Sequence, residues 1–136
     1  MRALVADVPG FPSDLAAGIS DAPGEVSYRS LDSVRVPPPW HRGRAVLIGD
    51  AAHAGPPTLA QGAAMGIEDG VVLAACLADA ATVDAGLDAF VARRWPRVNT
   101  IVSASLTIAR AQMMPDGRQR MAEAQAAAAV ALASPY

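Results

Sequence analysis

The stretch Arg44-Ala-Val-Leu-Ile-Gly-Asp-Ala-Ala-His-Ala-Gly-Pro-Pro-Thr-Leu-Ala-Gln-Gly-Ala-Ala-Met65 decides how this chain is read. Ala45–Gly49 is a short apolar run bounded by polar and glycine positions, the pattern of a strand buried on both faces. Asp50–Gly62 is broken by Gly and Pro and reads as a loop. From Ala63 to Ala78 the residues are apolar almost all round, interrupted mainly by Glu68-Asp69, which predicts a buried helix and not an amphipathic surface one. Strand, polar loop and buried helix make half of a βαβ unit. In such a unit the loop sits at the carboxyl end of the strand, where α/β proteins bind their ligands. The fold class that follows is α/β.

Upstream, the first forty residues are rich in Pro, Gly, Ser and Asp. Ser13 is placed to cap a short helix, SDLAAGIS, with Leu15 and Ile19 on one face. Pro23-Gly24 marks a turn, and Glu25–Leu31 alternates apolar and polar residues as a half-buried strand does. Pro37-Pro-Pro39-Trp40 cannot be helical and reads as an extended connector. Downstream, Thr82 is an N-cap candidate, and Val83, Leu87, Phe90 and Val91 share a helical face. Pro96 is expected to end or kink that helix at Trp95. Val98, Ile101, Val102, Ser105 and Ile108 carry a second helical stripe. Met114–Gly117 reads as a turn, and Arg118–Ser134 as an alanine-rich helix with a weak apolar stripe.

With 136 residues the chain has room for one compact domain and hardly two. The hydrophobic fraction of 52% is enough for a core, although much of it is alanine, so a thin core is expected. The net charge of −2, with dispersed arginines and no lysine, offers no footprint for a nucleic-acid backbone. Cys76 stands alone, which excludes a disulfide framework and a CxxC pair. His41, Asp50 and His53 lack metal-ligand spacing, so no metal site is expected. Asp7 and Pro9 interrupt the apolar stretch a signal peptide needs. Uncharged runs such as Val98–Ala109 fall short of the roughly 18–20 residues that span a bilayer. No membrane partner and a cytoplasmic location are the expectations.

Gly49-Asp-Ala-Ala-His53, followed by Pro56-Pro57, Gln61-Gly62 and Glu68-Asp69, resembles the second flavin-binding motif of the aromatic-ring hydroxylases, FAD-dependent monooxygenases of the p-hydroxybenzoate hydroxylase type. The flanks agree: Trp40 and Gly43-Arg44 resemble the lead-in, and Phe90, Arg93-Arg94 and Pro96-Arg97 resemble the arginine-rich helix that follows. The likeness runs from about Val26 to Ser105. It implies the last strand or strands of a Rossmann-like FAD-binding domain, followed by a mostly helical carboxyl half. Residues 1–40 would be the tail of a substrate-binding region and a connector, 41–80 the motif-bearing segment, and 81–136 the terminal helices.

The resemblance makes Asp50 the holder of the FAD ribityl chain, a role an ionised carboxylate suits because it only accepts hydrogen bonds. Pro57 and the backbone of Gly62, Ala63, Ala64 and Met65 complete the expected flavin contacts. The start of the following helix presents unpaired N–H groups and about half a positive charge, matched to the negative N1–C2 edge of a reduced flavin. No residue is assigned as an acid or base. Against these stand plainer readings: Asp50 as a cap of the next turn, His53 as a loop-shaping residue, and Cys76 as a small buried hydrophobe. Glu68-Asp69 is expected to pair with arginines, Arg44 or Arg97, or to sit at the solvent edge.

Two departures qualify the likeness. Residues 59 and 64 are Leu and Ala where the better-known hydroxylases carry Gly and Asn, which removes a side-chain hydrogen bond to the ring from position 64. The G-x-G-x-x-G turn that binds the FAD pyrophosphate occurs nowhere in the chain. The implied activity is hydroxylation of a small organic, often aromatic, substrate using FAD, NAD(P)H and dioxygen. The missing turn makes the chain resemble the last third of such an enzyme, incomplete without its nucleotide-binding portion. Two alternatives stay open: a non-catalytic fragment, and a subunit that binds FAD only with a complementary chain. Exposed apolar surface and association, with itself or with such a chain, are expected.

Overall fold

The computed structural model describes residues 12–19 and 30–135. The chain divides into two units, residues 1–30 and 31–136. In the first, the described residues form helix α1 (Ser13–Gly18), on which Leu15 is exposed. The strand expected over 25–31 lies outside the described residues, except for Ser30 and Leu31, which are irregular.

The second unit starts with an extended segment tied down by its backbone. Val34 and Val36 donate to the carbonyls of Ala54 and Ala52, at 2.8 and 2.9 Å. Strands β1 (His41–Arg42) and β2 (Ala45–Val46) then pair as an antiparallel hairpin, with His41 opposite Val46. Gly43, at φ 57°, supplies the left-handed residue of the turn. This corrects the doubly buried strand expected over Ala45–Gly49. Among the described residues there is no parallel neighbour, only two residues are paired, and Leu47 and Ile48 remain exposed. An apolar run calls for burial but does not name the strand that provides it, and among the described residues β1 is the only strand alongside.

Helix α2 (Asp50–His53) and a 3₁₀ turn (Pro57–Leu59) lead into α3 (Gly62–Asp79). Only one stripe of α3 is buried: Met65, Asp69, Val72 and Cys76, spaced to share a face. Ile67 is 71% exposed and Val71 49%, so the expectation of burial all round is corrected. Helix α4 (Val83–Ala111) is capped by Thr82, whose hydroxyl accepts from Ala85 N–H at 3.2 Å. It runs through Pro96 without ending, so of the two expected effects, an end or a kink, the end does not occur. Pro96 withholds a donor from the carbonyl of Ala92. Both residues face solvent, where water can take the freed acceptor, while Val91, Arg94, Val98 and Ile101 anchor the buried side of both halves.

Helix α5 (Gly117–Ala133) folds back on α4, with Ala124 and Ala128 against Ala104 and Ile108. The main core lies where α3 and α4 meet the hairpin. Trp40 sits 6.0 Å from the ring of Phe90 and 6.1 Å, edge-on, from Trp95, among Met65, Val72, Val98, Ile101 and Val102. No helix among the described residues is long and apolar enough to cross a membrane.

At Gly117 an added Cβ would fall on the backbone carbonyl of Ala111, which cannot swing aside as a side chain can. Gly117→Ala is therefore expected to cost about 1–3 kcal/mol. Thermal denaturation would show this as a lowered midpoint, and an unchanged one would refute it.

Candidate functional site

The backbone reverses at Gly49, which has φ 55° and ψ −140°, a conformation L side chains rarely adopt. Its Cα also lies close to the backbone of Gly66, so the strand end and α3 approach with almost nothing between them. Asp50 opens α2 immediately afterwards. Its side chain is exposed and takes no hydrogen bond from the described residues, so the plain capping role does not use it. It lines a cleft of about 620 Å³ together with Gly55, Pro56, Pro57, Gly62 and Ala63.

Of the six sequence-derived site residues, this cleft brings together Asp50, Pro57, Gly62 and Ala63. Ala64 is exposed and outside its lining. Met65 is buried in the core, and its N–H donates to the Gln61 carbonyl at 2.9 Å. Gln61 provides no side-chain cap, which leaves the first N–H groups of α3, at Gly62, Ala63 and Ala64, without helical acceptors. The proline loop is held in place by α4. Ser105 Oγ donates to the Pro56 carbonyl at 3.0 Å, and Thr58 Oγ1 donates to the Ser105 carbonyl at 2.9 Å. Ser105 is the one polar residue in the second stripe of α4, and that is the sequence signal for this tie.

Behind the cleft lies a charged network of which only part was expected. Asp69, fully buried, accepts from Gly49 N–H at 2.8 Å, His53 Nε2 at 2.6 Å and Arg94 Nε at 2.7 Å. Glu68 accepts from Arg94 Nη1 at 2.8 Å and from Arg97 Nε and Nη2 at 2.8 and 2.7 Å. Arg94 also donates to the Met65 carbonyl, and Arg97 to the carbonyls of Ala131 and Ser134. Arg97 is a partner as foreseen. Arg44 is not, since it lies exposed in the hairpin turn, and Arg94 takes its place. His53 is a buried partner of this network and shapes the loop from inside.

Burial pushes the Asp69 carboxyl upward, but hydrogen bonds from His53, Gly49 and Arg94, with attraction to His53, bring it below its ordinary value of 3.8. Glu68 follows the same logic: burial raises it, and hydrogen bonding and attraction from Arg97 and Arg94 bring it below 4.5. Both carboxylates are therefore charged at neutral pH. No group of three or more His, Cys, Asp or Glu among the described residues could hold a metal ion. A larger groove of about 890 Å³ runs between α4 and α5 past Asn99, Ser103 and Arg120, away from these residues.

Comparison with known proteins gives the family to which this segment belongs. Residues 16–105 match the family described as FAD binding domain, which is more than half of the chain. The chain belongs to that family. It is 48% identical over 88 residues to the putative FAD-dependent monooxygenase YetM of Bacillus subtilis, covering 65% of this chain and 24% of that protein. It is 41% identical over 115 residues to the 3-amino-4-hydroxybenzoate 2-monooxygenase PtnB3 of Streptomyces platensis, covering 82% and 28%. It is 56% identical over 57 residues to the 6-hydroxynicotinate 3-monooxygenase of Pseudomonas fluorescens, covering 42% and 15%. The family is thus that of the aromatic-hydroxylase-like monooxygenases, and the chain spans about a quarter of the length of the curated relatives it matches. No solved structure matches it.

Asp69→Asn leaves Arg94 and His53 without their shared buried charge and is expected to cost about 3–5 kcal/mol, read as a lower urea midpoint. Because both carboxyl values are depressed, their contribution is complete above the ordinary values of 3.8 and 4.5 and is lost as pH falls through the lower folded values. The midpoint of thermal unfolding is therefore expected to drop below about pH 4, with a shallower drop in Asp69→Asn.

Proposed function

We propose that this chain forms the ribityl and ring side of the flavin site in an FAD-dependent, NAD(P)H-using monooxygenase that hydroxylates a small organic substrate. The observation that carries the reading is the meeting, on one cleft, of an unspent carboxylate at Asp50 with the N–H-bearing start of α3. The donor set fits the cofactor. Asp50 accepts from sugar-alcohol hydroxyls, and the Gly62–Ala64 amides favour the electron-rich edge of the ring. Gly62 meets nothing within 4 Å of an added Cβ, so the cleft is open at the backbone itself. When bound, FAD supplies hydride acceptance and dioxygen chemistry; the residues here hold and orient it. The relatives named for 3-amino-4-hydroxybenzoate, 6-hydroxynicotinate and a 4(1H)-quinolone support an aromatic substrate.

The pyrophosphate-binding turn is absent from this sequence, so the chain by itself is expected to hold FAD weakly or not at all. Exposed Leu47, Ile48, Ile67 and Val71 favour association with itself or with a chain that carries the turn. Purified chain should show no stoichiometric flavin absorbance, and a bound band near one FAD per chain would overturn this. Adding a chain that bears the glycine-rich turn should bring flavin retention, which Asp50→Ala then weakens. The loss of one hydrogen bond to a charged group, about 1.5–3 kcal/mol, corresponds to roughly ten- to a hundredfold in Kd. Retention indifferent to Asp50→Ala would refute the assignment.

A further inference from the structure

His53 is 1% exposed, and its Nδ1 has no hydrogen-bond partner among the described residues. A buried polar atom left in that state is costly and uncommon. Its other nitrogen is accounted for: Nε2 lies 2.6 Å from Asp69 Oδ2, and Asp69, held as a carboxylate, can only accept. A ring proton therefore sits on Nε2, and in the neutral imidazole Nδ1 then presents a lone pair.

His53 also lines a small, partly enclosed space of about 20 Å³, together with Pro56, Gln61, Gly62, Val102 and Ser105. One water needs about 10–15 Å³ by the same kind of measure and at least two polar partners. The walls offer the His53 lone pair, the Pro56 carbonyl and Ser105 Oγ. Gly55, Pro56 and Gly62 belong both to this space and to the cleft.

We infer that the space beneath the cleft is a single-water site, in which the water donates one hydrogen bond to His53 Nδ1 and another to the Pro56–Ser105 wall. The water completes a chain that runs from the cleft floor through His53 to Asp69 and Arg94. His53 is thereby a positioning residue: through the water it fixes the proline loop against the buried carboxylate. The site is built from this chain alone and requires no flavin, so its failure would be separable from failure of the flavin reading.

The test is ¹⁵N spectroscopy of the histidine-labelled chain, which has two histidines, assigned by His41→Gln. The expected result is an Nε2–H ring with Nδ1 shifted upfield of an unbonded pyridine-type nitrogen, and a cross-peak from bound water to the His53 ring. An unbonded Nδ1, an Nδ1–H tautomer or a doubly protonated ring would overturn the inference. Val102→Ile adds a methylene to the space without removing a polar group. It should move Nδ1 downfield and abolish the water cross-peak, and an unchanged Nδ1 would also count against the site. If the chain associates, solid-state spectra read the same nitrogens, and unstructured histidine shifts there would likewise overturn it.

Discussion

A carboxylate removed from water has to recover in fixed hydrogen bonds what it loses in hydration, and Asp69 does so with three donors from three separate pieces of chain. Gly49 N–H comes from the end of the hairpin segment, His53 from the end of α2, and Arg94 from the middle of α4. A buried ion pair is weak evidence for added stability, because the desolvation of both partners offsets much of their attraction. Its effect here is geometric. Asp69 lies two turns along α3 from Gly62, so anchoring Gly49 and His53 to it sets the Asp50 loop at a fixed distance from the helix start that shares its cleft. The glycine at 49 lets the backbone take the left-handed turn that points its amide at that carboxylate.

The neighbouring carboxylate extends the same scheme outward. Glu68 holds both Arg94 and Arg97, and Arg97 passes the connection to the last turn of α5. Two adjacent acids on one helix thus do different jobs: one faces the core and fixes the site, and the other faces sideways and gathers the two long helices. Arg94 bridges them, with its planar fork touching both acids and the Met65 carbonyl.

Helices were largely legible from sequence because their signals are local. The stripe of α4, the Thr82 cap and the turn before α5 each occupy a few neighbouring residues. The strand at Ala45 was misjudged because an apolar run does not name its partner, and Pro96 does not end its helix because it occupies the exposed face. The site divides along the same line. Asp50, Pro57 and Gly62 were legible as an ordered motif within one short segment, whereas His53 and Asp69 stand sixteen residues apart across a loop, and Arg94 twenty-five beyond Asp69. Ala64 and Met65 came with the resemblance as backbone contacts at the helix start; the Met65 N–H is taken by the Gln61 carbonyl, and the helical phase turns its side chain inward.

The contact between α4 and α5 is made chiefly of alanine methyls, each of which brings little surface out of water. Such a seam is smooth, and smooth seams tolerate sliding. What sets the longitudinal alignment is therefore found at the extremities: Gly117 seated on the Ala111 carbonyl at one end, and the Arg97 guanidinium clasping the carbonyls of Ala131 and Ser134 at the other. The final helix is a rod clamped at both tips, and between the clamps only its outward positions are free to vary, since Ala124 and Ala128 have to stay small against Ala104 and Ile108.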